Sequence, residues 1–310
     1  MNQPAPPSSM ADPLARLAGL LTAGAPQDGS FATCIPGVHA IRTSSVSYEL
    51  VHGLHRPALC IVAQGSKMVM LGEESYRYDP SRMLIFSLDL PIAAMIEQAS
   101  VARPYLSFRM DFDLDRLAEL ILKVYPEGVP LLRDNRAVYV AQASDAIVDA
   151  AARLMTLSQQ PEEAALLAPL VQDEIVLRLL RSPFGHRLAQ LGRVEPNRIG
   201  RVIAWIREHF DQAIRIGDMA ELAHMSTSSL HEHFKSLTSM SPLQFQKTLR
   251  LQEARRLMLS TGMDVGLACQ RVGYVSPSQF SREYTRHFGN TPTGDMQRLR
   301  GAVDTVSFTQ

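Results

Sequence analysis

The chain has 310 residues, enough for two domains that each bury a core. Hydrophobic residues make up 46% of it and charged residues 20%, a composition typical of soluble globular proteins. The formal net charge is zero, which argues against a highly basic coat for nucleic acid. No apolar run reaches the roughly 18 residues that span a bilayer, so we expect no membrane contact. Residues 1–11 are rich in Pro and Ser and lack the basic and apolar regions of a signal peptide, which predicts a disordered tail and a cytoplasmic protein.

The first half of the chain predicts a helix followed by a β-domain. Asp12 and Pro13 form a helix-start signal for a helix that ends near Ala23. Short apolar runs then recur about every ten residues with turn signals between them, which predicts antiparallel strands in a barrel or sandwich. These runs are 58–63, 67–71, 83–88, 92–96 and 105–110.

Helical spacing replaces the strand pattern after Asp113, with predicted helices at 115–125, 143–157 and 162–180. The last two helices either form a dimer surface or pack against the barrel, and the sequence leaves both open. Pro and Gly residues then indicate a linker. The predicted organisation is α+β in two domains, with these divisions: tail 1–11, β-domain with helices 12–182, linker 183–196, all-α domain 197–300 and tail 301–310.

Three cysteines, Cys34, Cys60 and Cys269, are far apart and lack CxxC spacing. A disulfide framework or a thiolate metal site is therefore not expected. Buried structural thiols are the favoured interpretation, and redox sensing by Cys34 or Cys60 is the alternative.

The all-α domain begins with the pattern of a helix-turn-helix unit. After a helix at 197–210, Asp218 and Glu221 have the spacing of a capping box for a short helix, 219–224. A second helix at 227–237 has Leu230 and Phe234 on its apolar stripe and a polar outer face. Two short helices arranged in this way are typical of a DNA-binding helix-turn-helix unit.

The same pattern occurs a second time. Ser241 starts a long helix that runs to Leu259, and a short helix follows at 265–271. Gly273 supplies a turn, and the next helix places Tyr284 where the first unit has Phe234. A plain helical bundle is the alternative, which this duplication disfavours. Residues 195–300 contain 14 Lys and Arg against 10 Asp and Glu. Their net charge is therefore positive, which suits binding to double-stranded DNA.

This region resembles the AraC family of bacterial transcription regulators. The matching motifs, in order, are Leu222-Ala223, Met225-Ser226, Ser229-Leu230, Phe234-Lys235, Met240-Ser241-Pro242, Arg250-Leu251, Ala254-Arg255, Val272-Gly273-Tyr274, Ser278-Gln279-Phe280-Ser281-Arg282-Glu283, Phe288-Gly289 and Pro292. Residues 14–119 also resemble the N-terminal domain of one AraC subgroup, through Ile35-Pro36-Gly37, residues 59–65, residues 76–79, Asp89-Leu90-Pro91 and residues 103–106. That resemblance implies a cupin-like barrel followed by helices, which senses a small-molecule effector or sets the oligomeric state.

The resemblance also implies that the two recognition helices enter successive major grooves. The residues carried over by position are Ser228, His231, Glu232 and Lys235 in the first unit and Ser278, Gln279, Arg282 and Arg286 in the second. Arg282 is expected to read a guanine edge, whereas Lys235, Arg286 and Gln279 can equally serve phosphates. Glu232 departs from the basic or amide residue common in the family. Contact with RNA polymerase is implied for an activator of this kind.

A barrel of this type also raises the alternative of a metal-dependent cupin enzyme. The barrel region offers His39, His52 and His55 but no H-x-H pair, so we expect no metal, no cofactor and no enzyme. The candidate ligand-binding residues are Ile61, Met68, Met70, Leu84, Phe86 and Phe108. The same list would form any barrel core.

Overall fold

The computed structural model of the chain describes residues 12–47, 49–80, 82–129, 136–189 and 198–307, with side chains up to residue 299. The predicted N-terminal tail, and residues 190–196 of the predicted linker, lie outside the described residues. Within the described ranges no helix has the length and hydropathy needed to cross a membrane.

Ten strands form two antiparallel sheets in the described part of the first domain. They are β1 Gly29–Ala32, β2 Val38–Thr43, β3 Val51–His55, β4 Ala58–Gln64, β5 Ser66–Leu71, β6 Glu74–Tyr78, β7 Arg82–Phe86, β8 Leu90–Gln98, β9 Tyr105–Asp111 and β10 Val138–Gln142. Sheet A has the order β1-β2-β9-β4-β7-β10, and sheet B has the order β3-β8-β5-β6.

The five predicted apolar runs are confirmed as β4, β5, β7, β8 and β9. The strands that the sequence pattern missed are shorter or half polar, as in β2, where His39 and Arg42 interrupt the apolar positions. Strand β10 follows a helix, in a part of the chain where the strand pattern had ended. It joins sheet A by pairing Val140 with Leu84 of β7.

Five helices cover the outer face of sheet A: α1 Pro13–Gly24, α2 Leu114–Val124, α3 Asp145–Leu157, α4 Pro161–Leu180 and α5 Gly185–Ala189. The predicted start of α1 is confirmed, since the Asp12 side chain accepts a hydrogen bond from Leu14 N at 3.1 Å. Helix α5 lies inside the segment assigned to the linker. Its Leu188 and Ala189 are fully buried. The sequence did not predict this helix, because the Gly and Pro residues around it indicated a linker.

The all-α domain contains α6 Arg198–Glu208, α7 Ile216–Leu222, α8 Thr227–Thr238, α9 Pro242–Ser260, α10 Val265–Arg271, α11 Pro277–Phe288 and α12 Pro292–Ser307. The predicted α+β class with two domains is confirmed. The prediction that Asp218 caps α7 is wrong, because the helix begins two residues earlier, with Arg215 at its N-cap and Asp218 in its first turn. Helix α12 also runs through 301–307, which the sequence analysis had assigned to a tail.

Glycine is required at one turn of this domain, between α10 and α11. Gly273 has φ +81°, in the left-handed region, and a Cβ there would overlap the backbone carbonyl of Asp211 in the loop after α6. The turn of the second unit therefore packs directly on the loop that enters the first.

We expect Gly273→Ala to lower the free energy of unfolding by about 2–4 kcal/mol, because strained backbone and steric overlap add together. Urea unfolding followed by circular dichroism measures the loss. Gly217→Ala is the matched control, since Gly217 lies in α7 with open space around the position of a Cβ, and should be neutral or slightly stabilising. Equal losses in the two variants would contradict a close contact at Gly273.

Candidate nucleic-acid interface

The first helix-turn-helix unit consists of α7 and α8. The hydroxyl of Ser226 caps α8 by accepting from Ser229 N at 3.2 Å. Leu230 and Phe234 are fully buried, and the Phe234 ring meets Phe245 of α9 edge-on with centroids 5.5 Å apart. These contacts fix which face of α8 points outward.

All four predicted reading residues of α8 lie on that outward face. Ser228, His231, Glu232 and Lys235 are exposed, and their spacing of three, one and three residues forms a single stripe. The structure therefore brings this set together in the arrangement that a major-groove helix requires.

The second unit, α10 and α11, has the same construction. Asp264 accepts from Leu267 N at 3.0 Å, and Ser276 accepts from Gln279 N at 3.3 Å. Tyr284 is fully buried, and its hydroxyl donates to Asp295 Oδ2 at 2.7 Å. The predicted equivalence of Tyr284 with Phe234 is confirmed, with one difference: the tyrosine hydroxyl reaches a buried carboxylate.

The predicted reading residues of α11 are also exposed together: Ser278, Gln279, Arg282 and Arg286. Gln279 Nε2 donates to Glu283 Oε1 at 3.3 Å, so this amide is already oriented on the surface. Sequence reasoning missed Val275, which is 99% exposed in the turn before α11. An apolar side chain there has the chemistry to contact a thymine methyl group.

The two units are held at a fixed spacing by Arg250 of α9. Its Nε donates to Phe210 O at 2.5 Å, Nη2 to Gln212 O at 2.8 Å and Nη1 to Gly273 O at 3.1 Å. The first two carbonyls belong to the loop after α6 and the third to the turn of the second unit. One guanidinium thus joins both units, and the 19 residues of α9 span about 28 Å at ~1.5 Å per residue.

The barrel contacts the all-α domain through β8 of sheet B and through Ala137, which precedes β10 of sheet A. Gln252 Nε2 of α9 donates to Ile92 O at 3.3 Å, and Ala137 N donates to Leu237 O at the end of α8 at 3.1 Å. Ion pairs join Asp89 to Arg207 and Glu49 to Arg298.

A histidine pair lies at the contact between the barrel and the second unit. The ring of His52 packs on His287 and on Phe288, both at centroid distances of 4.8 Å. Burial, aided by the charge of Arg255, lowers the pKa of His52 to about 3 and that of His287 to about 4. Both imidazoles are therefore neutral near pH 7 when the domains are packed. No sequence signal indicated this contact.

A cleft of about 400 Å³ lies between the domains and is bordered by Lys235, Lys247, Met70 and His287. Lys235, predicted to face DNA, is thus exposed beside the barrel. The other seven predicted reading residues do not border this cleft.

The six candidate ligand residues do not face one space. Leu84 and Phe86 point between the two sheets, whereas Ile61 and Phe108 point toward α1 and α3. Met70 borders the interdomain cleft, and Met68 shares its face of β5. The reason is strand alternation: neighbouring residues point to opposite faces, and apolar contacts occur on both faces of sheet A.

Known proteins are similar to both halves of this chain. A family profile described as "AraC-type transcriptional regulator N-terminus" matches residues 34–187, and one described as "Helix-turn-helix domain" matches residues 219–298. The chain is 33% identical over 103 residues to the RCS-specific HTH-type transcriptional activator RclR of Escherichia coli (strain K12), covering 33% of this chain and 36% of RclR. It is 25% identical over 136 residues to the HTH-type transcriptional activator RhaS of Escherichia coli O1:K1 / APEC, covering 44% of this chain and 49% of RhaS.

These matches therefore span half or less of the length of either relative. Among solved structures, ToxT from Vibrio cholerae O395 aligns with a TM-score of 0.54 at 10% identity, covering 85% of this chain and 98% of ToxT. That likeness shows that the two-domain fold is shared.

We expect Arg250→Met to lower the free energy of unfolding by about 2–4 kcal/mol, since three backbone carbonyls lose a charged donor. It should also relax the preferred spacing between two DNA half-sites, measured by binding to sites with one to three inserted base pairs. Arg256→Met, on the same helix, is the control: Arg256 is exposed and pairs only with Glu253, so its loss should cost less than about 1 kcal/mol. An unchanged spacing preference in Arg250→Met would show that Arg250 does not set the spacing.

Proposed function

Because the chain belongs to the AraC-type transcriptional regulators, we propose that it is a sequence-specific DNA-binding regulator whose helices α8 and α11 read successive major grooves. The observation that carries the proposal is the pair of capped helices, each with four exposed reading residues opposite a buried aromatic anchor. We also propose that a small molecule bound in the barrel modulates this regulator. The protein acts in the cytoplasm. At promoters that it activates, RNA polymerase is its partner.

Two features favour this proposal over a metal-dependent cupin enzyme. The curated relatives are transcriptional activators. Within the described ranges no three His, Cys, Asp or Glu side chains form a group able to hold a metal ion. The proposal accordingly assigns no catalytic step to the barrel.

The direct test is selection of bound sites from a random DNA pool by the full-length protein, followed by titration of the selected sites against salt. We expect an asymmetric motif with two blocks about one helical turn apart. A steep salt-dependent attraction without sequence enrichment would contradict specific recognition.

Arg282→Ala should weaken binding to the selected site by about 1–3 kcal/mol and relax preference at one base position, because a guanidinium grips a guanine edge with two bonds. Lys235→Ala should weaken binding to all sequences alike, as expected for a phosphate contact. Fluorescence anisotropy on the selected site and on single-base variants measures both effects. Unchanged affinity and preference in Arg282→Ala would refute the assignment of α11 as a reading helix.

We further propose that α4 forms a homodimer contact. Leu166 and Leu170 lie one turn apart on this helix and are 76% and 64% exposed, although they are large and apolar. Leu170→Glu should convert a dimer to a monomer at micromolar concentration, measured by sedimentation equilibrium, whereas Val101→Glu, on an exposed barrel loop, should not. A wild-type protein that is monomeric throughout would contradict this contact.

A further inference from the structure

Polar side chains line part of the space between the two sheets of the barrel. Arg109 of β9 has His39 of β2 on one side and Cys60 of β4 on the other, as direct cross-strand partners. These three side chains share the face of sheet A that points between the sheets. On sheet B, Lys67 alternates with the buried Val69, so it points into the same space.

Hydrogen bonds in this cluster determine which atoms are left as donors. Arg109 Nε donates to Asp111 Oδ1 at 2.7 Å, and Nη1 lies 3.0 Å from His55 Nδ1. A guanidinium has no acceptor, so His55 Nδ1 accepts, and the neutral ring carries its proton on Nε2. Burial, with the charges of Lys67 and Arg109, lowers the pKa of His55 to about 3, which keeps the ring neutral.

Three donor groups then have no acceptor among the described residues. They are the ammonium group of Lys67, Nη2 of Arg109 and Nε2 of His55, none of which makes an ion pair or hydrogen bond to a residue that the structure describes. Burial lowers the pKa of Lys67. All three residues retain some accessible surface.

The cluster carries more positive than negative charge. Asp111 is the carboxylate that pairs with Arg109, and its other oxygen lies 4.0 Å from His39 Nε2. Lys67 therefore adds a charge that Asp111 does not neutralise. An anion in this space would satisfy the unpaired donors, whereas a neutral ligand would leave an ammonium group without a counter-ion.

An apolar wall lies beside the donors. The ring of Phe86 packs on His55 with centroids 5.1 Å apart, and Leu84 is the cross-strand partner of Cys60. Both side chains point between the sheets and are almost fully buried. A ligand held at the donors would thus have apolar carbon on its other side.

We propose that the barrel interior binds a small organic acid, with its carboxylate held by Lys67, Arg109 and His55 and its apolar body against Leu84 and Phe86. The two oxygens of a carboxylate accept about four hydrogen bonds, enough for all three donor groups. This inference rests on the proposed function, since it names the chemical class of the effector of the same barrel.

The test uses the full-length protein and two matched pairs of probes, octanoate with octan-1-ol and benzoate with benzamide, with inorganic phosphate as a fifth probe. Isothermal titration calorimetry should show at least one carboxylate binding about tenfold or more tightly than its neutral analogue. Lys67→Met should remove that preference, and Lys123→Met, on the exposed face of α2, should keep it. The proposal is overturned if neither carboxylate binds better than its analogue, or if Lys67→Met binds as wild type. Phosphate binding as tightly as the carboxylates would overturn the apolar part of the site.

A second measurement needs no ligand. Lys67→Met removes a partly buried cation that has no counter-ion among the described residues, so the ligand-free variant should melt about 2–4 °C above wild type. A lower or unchanged Tm would mean that Lys67 has a compensating partner, and would contradict the site. DNA selection with the same wild-type and Lys67→Met preparations separates the two proposals. If both proteins enrich a DNA motif, the proposed DNA-binding function stands whether or not the carboxylates bind. If wild type enriches no motif, the proposed DNA-binding function itself is contradicted.

Discussion

Helix α9 is the element on which the DNA-reading half of the molecule depends. Helices of seven or twelve residues are marginal on their own in water, so each short helix of the two units is stable only when its apolar stripe is buried. Phe245 at the start of α9 buries the anchor of the first unit, and Ala254 and Met258 near its end lie in the core of the second. The outward direction of both reading stripes follows from packing on this one helix.

Local rules predicted the caps of α1 and α9 correctly and failed at α7, where Asp218 is not the N-cap. Ser241 starts α9 as predicted, and with Gln244 it forms a complete capping box with bonds of 3.3 Å and 2.9 Å. The duplicated spacing around Phe234 and Tyr284 located the second helix of each helix-turn-helix unit. The contacts that set the geometry between units were not predictable, because Arg250 bonds to carbonyls about 40 and 23 residues away. Backbone carbonyls of that kind leave no trace in a residue pattern.

In the barrel, the sequence did not predict which face of each strand points inward. Alternation separates the residues of a strand into two faces but does not identify the inner one. Met68 and Met70 were predicted to point inward, yet Val69 and Leu71 are the buried ones. Lys67 falls on the inward set with them. The sequence signal for this cluster was a lysine spaced two and four residues from buried aliphatic residues on the same strand. That spacing can be interpreted only when the structure shows which face of β5 points toward the opposite sheet.

The described residues form three hydrophobic cores, which do not coincide with the two domains. Residues of the first unit, such as Met219 and Leu230, belong to the same core as the barrel interior, whereas the second unit closes a separate core around Phe280 and Tyr284. Opening the first unit therefore exposes the core that it shares with the barrel, whereas opening the second unit exposes its own core and breaks the contact of His287 and Phe288 with His52. Amide hydrogen exchange in α8 thus reports the stability of the core shared with the barrel, while exchange in α10 and α11 reports the separate core together with the His52 contact.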